Sequence, residues 1–272
     1  MAIVFIQNKL YGLFINDLKI HGYIGYFNNY KNRLFYFMSE FTYDNLEKYY
    51  STAQSLGYEI YRCIDYYENK NNLPQKVIIN RIDIDFSVKK TDKILDIFEK
   101  LGIKGTFFIR LHAKEYNPFD FENYRIIKRI IESGNEAGYH SEVMDESAIW
   151  KENPAGCLKR DIEVFNRMFN TEIRGIASHG GMTGLNNLDF WKNNKPSDFG
   201  LLYEAYDDSD EFGLFKKSFY ISDSEWIRWK CYDKGKLLNG DNRTFGEHLA
   251  DGHELIYLLI HSDTFFSNHF YE

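Results

Sequence analysis

Val77-Ile78-Ile79-Asn80-Arg81-Ile82-Asp83-Ile84-Asp85-Phe86-Ser87 is the stretch on which the fold turns. Its β-branched start reads as a strand, and its end is charged. In extended backbone, residues two apart point to one side, so Asp83 and Asp85 share a face. Two carboxylates that close either hold a cation together or divide the work of base and ligand. Outward from this strand the chain alternates. Ile94, Leu95, Phe98 and Leu101 share one face of a helix that Thr91 is positioned to N-cap and Gly102 to close. Residues 105–111 predict the next strand. A helix from Phe121 carries Tyr124, Ile127, Ile130 and Ile131 and stops at Gly134. Residues 136–140 are short and strand-like. Pro154 opens a helix with Leu158, Ile162, Phe165 and Phe169, and residues 173–177 and 255–260 complete the strands. This rhythm predicts an α/β fold with a parallel sheet or barrel and helices outside it.

Active groups in such folds gather at the carboxyl ends of the strands. Reading those ends gives Arg81, Asp83 and Asp85; His140 and Glu142; Ser178-His179-Gly180; Ser222-Asp223; and His261-Ser262-Asp263. His140, His179 and His261, three of the eight histidines, fall directly there. Carboxylates and imidazoles facing one bowl suit metal binding or proton transfer. Other signatures are missing. The Gly180–Gly184 loop lacks the Lys-Ser/Thr of a phosphate loop, and neither Gly-x-Ser-x-Gly nor His-Glu-x-x-His occurs. His21, His112, His248, His253 and His269 show no partner pattern.

Composition narrows the function classes. A chain of 272 residues with 44% hydrophobic residues holds a full core, so disorder and fibrous repeats are excluded. A net charge of −7 and a pI of about 5.7 argue against a nucleic-acid or anionic-membrane partner. No apolar run approaches the roughly 20 residues of a membrane span. Cys63, Cys157 and Cys231 are widely spaced and form no Cys-x-x-Cys pair, and residues 1–9 show no signal-peptide pattern, so a cytoplasmic location is expected. The 23 Phe and 21 Tyr read first as packing. Residues 1–40 predict short hairpins between Asn-, Asp- and Gly-rich turns, an N-terminal extension packed on a main domain of residues 41–272. Within that domain, residues 42–57 read as a helix and residues 69–74 as a polar linker, after which the main body is expected to begin.

At these residues the sequence resembles the polysaccharide deacetylase superfamily, the NodB-homology or carbohydrate esterase family 4 group. Arg81-Ile82-Asp83-Ile84-Asp85 looks like an Asp-x-Asp variant of its Thr-Phe-Asp-Asp-Gly strand. Gly105-Thr106-Phe107-Phe108-Ile109 is similar to its Ala-Thr-Phe-Phe strand. Gly134-Asn135-Glu136-Ala137-Gly138-Tyr139-His140 resembles the approach to its metal site, and Leu259-Ile260-His261 its Leu-x-His motif. The resemblance implies a distorted (β/α) barrel of seven or eight strands, a divalent metal, often zinc, and hydrolysis of acetyl groups on sugars. It implies Asp83 as general base, Asp85 and His140 as metal ligands, and His261 as general acid; Arg81, Tyr139 and Asp223, at or beside the same strand ends, are expected to bind substrate. Where the family has His-Ser/Thr-x-x-His, this chain has His140-Ser141-Glu142-Val143-Met144, so a further ligand falls to Glu142 or His179. The family's Arg-x-Pro-x-Gly motif is missing too, and Arg174 and His179-Gly180 stand in that neighbourhood. The expected partner is an acetylated sugar or polysaccharide precursor. The alternative is an inactive barrel that binds carbohydrate or a protein.

Overall fold

The computed structural model describes residues 40–223 and 228–268. All but the last residue of the hairpin extension expected over residues 1–40 lies outside them.

The described chain opens with helix α1 (Tyr43–Ser55), whose N-cap Thr42 accepts the Asn45 amide at 3.2 Å and which closes before Gly57 at φ +82°. Strand β1 (Glu59–Tyr61) and helix α2 (Cys63–Asn69) follow, ahead of the central strand β2 (Val77–Ile84). β1 pairs in parallel with the first half of β2, so the main body begins before the polar linker, not after it. Next come α3 (Thr91–Leu101), β3 (Thr106–Ile109), α4 (Phe121–Glu132), β4 (Glu136–Ser141), α5 (Val143–Trp150), α6 (Pro154–Phe169) and β5 (Gly175–Ser178). The N-cap of α3 is Lys90, and Thr91 is its buried first residue. β6 (Tyr203–Glu204), β7 (Phe219–Ser222), β8 (Lys230–Asp233), β9 (Lys236–Leu237) and β10 (Leu255–His261) complete the sheet.

The strand order is β6-β5-β4-β3-β2-β10-β7-β8-β9. Every pairing from β6 to β7 is parallel, which makes seven strands, and β8 and β9 add an antiparallel edge. Both faces are covered, so all eight residues of β2 are buried and burial does not alternate along the strand. Its even residues Ile78 and Ile82 pack under the helices with Leu46, Ile94, Phe98 and Ile127. Val77 and Ile79 lie on the other face with Phe108, Tyr203, Tyr220, Tyr257 and Leu259. Each such side chain stabilises the fold by roughly 1.5–3 kcal/mol on burial.

That second cluster shows the curl of the sheet. β6 and β7 stand at opposite ends of the parallel run, yet Tyr203 and Tyr220 share one core, and the Tyr206 and Tyr220 hydroxyls interact. Side chains thus fill the gap that no ladder among the described residues closes, which is the open, distorted form of a (β/α) barrel. The interior is solid. A Cβ on Gly138 would stand 2.5 Å from the Phe108 ring, so β4 carries glycine where the neighbouring strand needs room. Cys63 and Tyr66 of α2 join the same interior core.

One buried acid sets an expected pH dependence. Glu204 accepts the Ser178 amide at 2.9 Å and the Tyr206 amide at 2.6 Å, but burial outweighs both and pushes its carboxyl up to about 7. The folded chain therefore holds a proton that the unfolded chain releases above its ordinary carboxyl pKa. Stability falls as pH rises from about 4.5 through 7, because the native state binds more protons than the unfolded one. Glu204→Gln is expected to remove on the order of 2–3 kcal/mol of decline between pH 5 and pH 8. Urea unfolding of both proteins at the two pH values checks it; an unchanged slope refutes it.

Candidate metal and acid–base site

The carboxyl ends of β2, β4, β5 and β10 meet at one mouth. β2 places Asp83 inward, and the chain leaves the strand at Asp85. β10 is in register beside it, with His261 opposite Asp83. On the other side β3 separates β2 from β4, where His140 stands opposite Ala177 of β5, and His179 follows that strand directly.

Three donors converge. Single ligand atoms of Asp85, His140 and His179 lie within 4.8 Å of one another. His140 Nε2 is 3.4 Å from Asp85 Oδ1, and His179 Nε2 is 3.9 Å from Asp85 Oδ2. Bonds of about 2.0–2.1 Å at tetrahedral angles separate neighbouring donors by about 3.3 Å, so this spacing fits a cation such as zinc. The other ring nitrogen of His140 lies 2.9 Å from the Ala177 carbonyl, which fixes the ring with Nε2 turned inward. Asp85 Oδ1 is buried and accepts no hydrogen bond, an orphaned acceptor of the kind a cation satisfies.

Glu142 stands behind His179. Its Oε1 is 3.2 Å from His179 Nδ1 and accepts the Arg110 guanidinium at 2.8 Å. Burial works to raise its pKa, and His179 and Arg110 outweigh that and hold it low. Arg110 also donates to the Asp85 carbonyl at 2.8 Å, tying the two strand ends together. Of the two groups weighed from sequence, His179 reaches the donor cluster, and Glu142 orients it. Met144 packs partly buried against the helical core.

The proton-transfer candidates have separate tethers. Asp83 receives Nε and Nη2 of Arg81 at 2.8 and 2.7 Å, and its Oδ2 lies 3.3 Å from His140 Nε2. Burial alone would raise its pKa; Arg81 and His140 outweigh burial and keep it below the usual carboxylate value. His261 Nδ1 meets Asp223 Oδ1 at 2.6 Å, and its backbone amide donates to Oδ2 of the same residue at 2.9 Å. Burial pulls that imidazole down, but the Asp223 charge prevails and its pKa rises to about 10. His261 Nε2 then points into the mouth, 3.8 Å from Asp85 Oδ2. A carboxylate that stays ionised beside an imidazolium supplies a base and an acid at the same pH.

Three sequence expectations need correction. Arg81 and Asp223 are fully buried, so they reach no substrate; each holds a neighbouring functional group instead. Tyr139 faces the opposite side of β4 from His140, because side chains alternate along a strand. Its hydroxyl lies 2.7 Å from Asp161 and 3.1 Å from Glu146 among the helices. Two contributors were missed. Arg110 follows β3 directly; the strand predicted over residues 105–111 takes Arg110 inside it, and its carboxyl end is not among those read for functional groups. Asp145 accepts the Met182 and Thr183 amides and the Asn187 side chain, at 2.8–3.1 Å, anchoring the Gly-rich loop after His179.

No protein-family model matches the chain, and no curated protein does. Solved structures do. A carbohydrate esterase family 4 (CE4) esterase from Streptococcus mutans is 16% identical, with a TM-score of 0.45, over 75% of this chain and 80% of that one. The Streptococcus pyogenes deacetylase PplD, solved with acetate, is 16% identical, with a TM-score of 0.41, over 50% of this chain. BA3943 from Bacillus anthracis, described as a CE4 family pseudoenzyme, is 18% identical, with a TM-score of 0.40, over 70% of this chain. The matched region spans 61% of PplD and 57% of BA3943.

Proposed function

We propose that this chain is a divergent polysaccharide deacetylase-like hydrolase, dependent on a divalent metal, that removes an acetyl group from a sugar or a sugar-containing precursor. The observation that carries the reading is the triplet Asp85, His140 and His179 at one mouth, flanked by Asp83 and His261, each with its own buried counter-charge.

Asp85, His140 and His179 would hold the metal, which when bound supplies a Lewis acid and lowers the pKa of water. Asp83 takes the proton of the attacking water. The Arg81 fork holds both of its oxygens and fixes the carboxylate, whose Oδ2 lies on the His140 side of the mouth. His261 protonates the leaving amine or alkoxide from Nε2, and Asp223 keeps Nδ1 protonated and the ring aimed. Asp263 accepts the Asp85 and Phe86 amides at 3.2 and 2.9 Å, so the turn that presents Asp85 is held from the β10 side.

Metal content tests the ligand assignment. His179→Ala and Asp85→Asn are each expected to strip zinc or cobalt from the purified protein. Glu142→Gln is expected to weaken binding only about 10- to 100-fold, the range for a group that orients a ligand. Equal metal content in His179→Ala and the unaltered chain sinks the assignment. Acetate release from N-acetylated amino sugars tests the reaction; a fully metal-loaded chain with no turnover would favour the alternative of an inactive barrel that binds carbohydrate or a protein.

A further inference from the structure

A second set of side chains lies at the other end of β10. The segment His248-Leu249-Ala250-Asp251-Gly252-His253 precedes that strand, and His261 ends it. At about 3.3 Å per residue, the strand separates this segment from the mouth by roughly 20 Å.

His248 is completely buried, and its Nδ1 has no hydrogen-bond partner; neither has the buried Nε2 of His253. Both point at one atom. Asp251 Oδ2 lies 3.5 Å from His248 Nδ1 and 3.7 Å from His253 Nε2, too far for hydrogen bonds and near the donor separation around a tetrahedral cation. The surroundings fix all three. Gly252, at φ +71°, turns the chain so that His253 doubles back. The His253 ring stacks on Phe219 with centroids 3.7 Å apart. Arg243 donates to Asp251 Oδ2 at 2.9 Å and leaves that oxygen a second lone pair. The far nitrogen of His248 lies 3.2 Å from Cys231 Sγ and 3.4 Å from Asp241 Oδ1. With its proton there, Nδ1 presents a lone pair toward Asp251, the arrangement typical of histidine ligands backed by a second shell.

We propose that His248 Nδ1, Asp251 Oδ2 and His253 Nε2 form a second divalent-metal site, distinct from the catalytic mouth, that staples the entry of β10 to the sheet. Two imidazoles and a carboxylate select a borderline cation such as zinc, cobalt(II) or nickel(II) over magnesium or calcium. Asp251 and His253 are partly exposed, so solvent reaches the site and completes the shell.

Zinc titration followed by calorimetry and melting tests this. The unaltered chain is expected to bind one more zinc than His253→Gln or Asp251→Asn, each of which weakens that event at least tenfold. In a His140→Ala/His179→Ala background one zinc should still bind and raise the melting temperature, and adding His253→Gln should abolish both effects. Should that background fail to fold, the comparison of the unaltered chain with His253→Gln carries the test alone. A catalytic mouth that holds no metal gives a stoichiometry of one falling to none, which still supports the second site. Zinc stoichiometry and affinity unchanged by His253→Gln and Asp251→Asn overturn it. So does a zinc site lost in Cys231→Ser but kept in those two variants, which would put the ion on the other side of His248.

Discussion

Asp83→Asn is expected to lower the rate of acetyl hydrolysis by about 10²- to 10⁴-fold, the range for losing a general base, while metal content stays near that of the unaltered chain. Asparagine keeps the size of the side chain but cannot take the proton from water. Metal content is expected to survive because the proposed donors are Asp85, His140 and His179, and Asp83 is outside that group. The substitution also turns an amide nitrogen toward the buried Arg81 fork, so the variant will melt lower. Rates are therefore to be compared at a temperature where both chains are folded. If Asp83 merely neutralises Arg81, melting falls and the rate per folded, metal-loaded chain does not; that result would remove the base. His261→Ala sharpens the division of labour. It should hurt an amide substrate more than an activated aryl acetate, since an amine must be protonated to leave and a good phenolate need not be. Equal losses on the two substrates would refute the acid role.

Those roles rest on positions that the sequence makes legible to different degrees. Helix ends were readable because glycine marks them, and Gly57, Gly102 and Gly134 all take positive φ. The strand ends were readable because parallel strands bring their carboxyl ends together. That rule alone groups Asp83, Asp85, His140, His179 and His261 at one mouth. α5 was not readable, and the reason is physical. Asp145 and Glu146 are buried, while Ile149 and Trp150 are exposed, the inverse of an amphipathic helix. β6 is two residues long and offers no period. The buried partners are a different matter. Arg81 is two residues before Asp83, so the same face argument that paired the aspartates places its guanidinium beside Asp83. Tyr139 is one residue before His140, so an inward His140 already implies an outward Tyr139. Both signals were present, but a list of strand-end residues treats neighbours as equivalent, and alternation does not. His248 and His253 escaped for another reason: their spacing matches no familiar motif, and only the turn at Gly252 brings the rings together.

The pairing of Arg81 with Asp83 carries the other large expectation. Arg81 is fully buried, with Asp83 on its fork and the rings of Tyr206 and Phe108 at 4.3 and 5.2 Å from its guanidinium carbon. Removing one member of a buried ion pair leaves the other charge without compensation, which typically costs about 3–5 kcal/mol. Arg81→Met is therefore expected to lose about that much stability in urea, more than the exposed pair Arg167–Glu163 can supply. The sign of the effect changes when both partners go. Arg81→Met combined with Asp83→Leu removes both charges, and such replacements are often neutral or stabilising. The double variant should recover most of the stability lost by Arg81→Met alone while showing no hydrolysis, because the proton acceptor has gone with the charge. Stability and rate then part company in one pair of residues. A double variant no more stable than Arg81→Met would mean that the arginine acts through its packing on Tyr206 and Phe108 and not through the charge it sets beside Asp83. A double variant that still hydrolyses acetyl groups at the original rate would place the base elsewhere in the mouth.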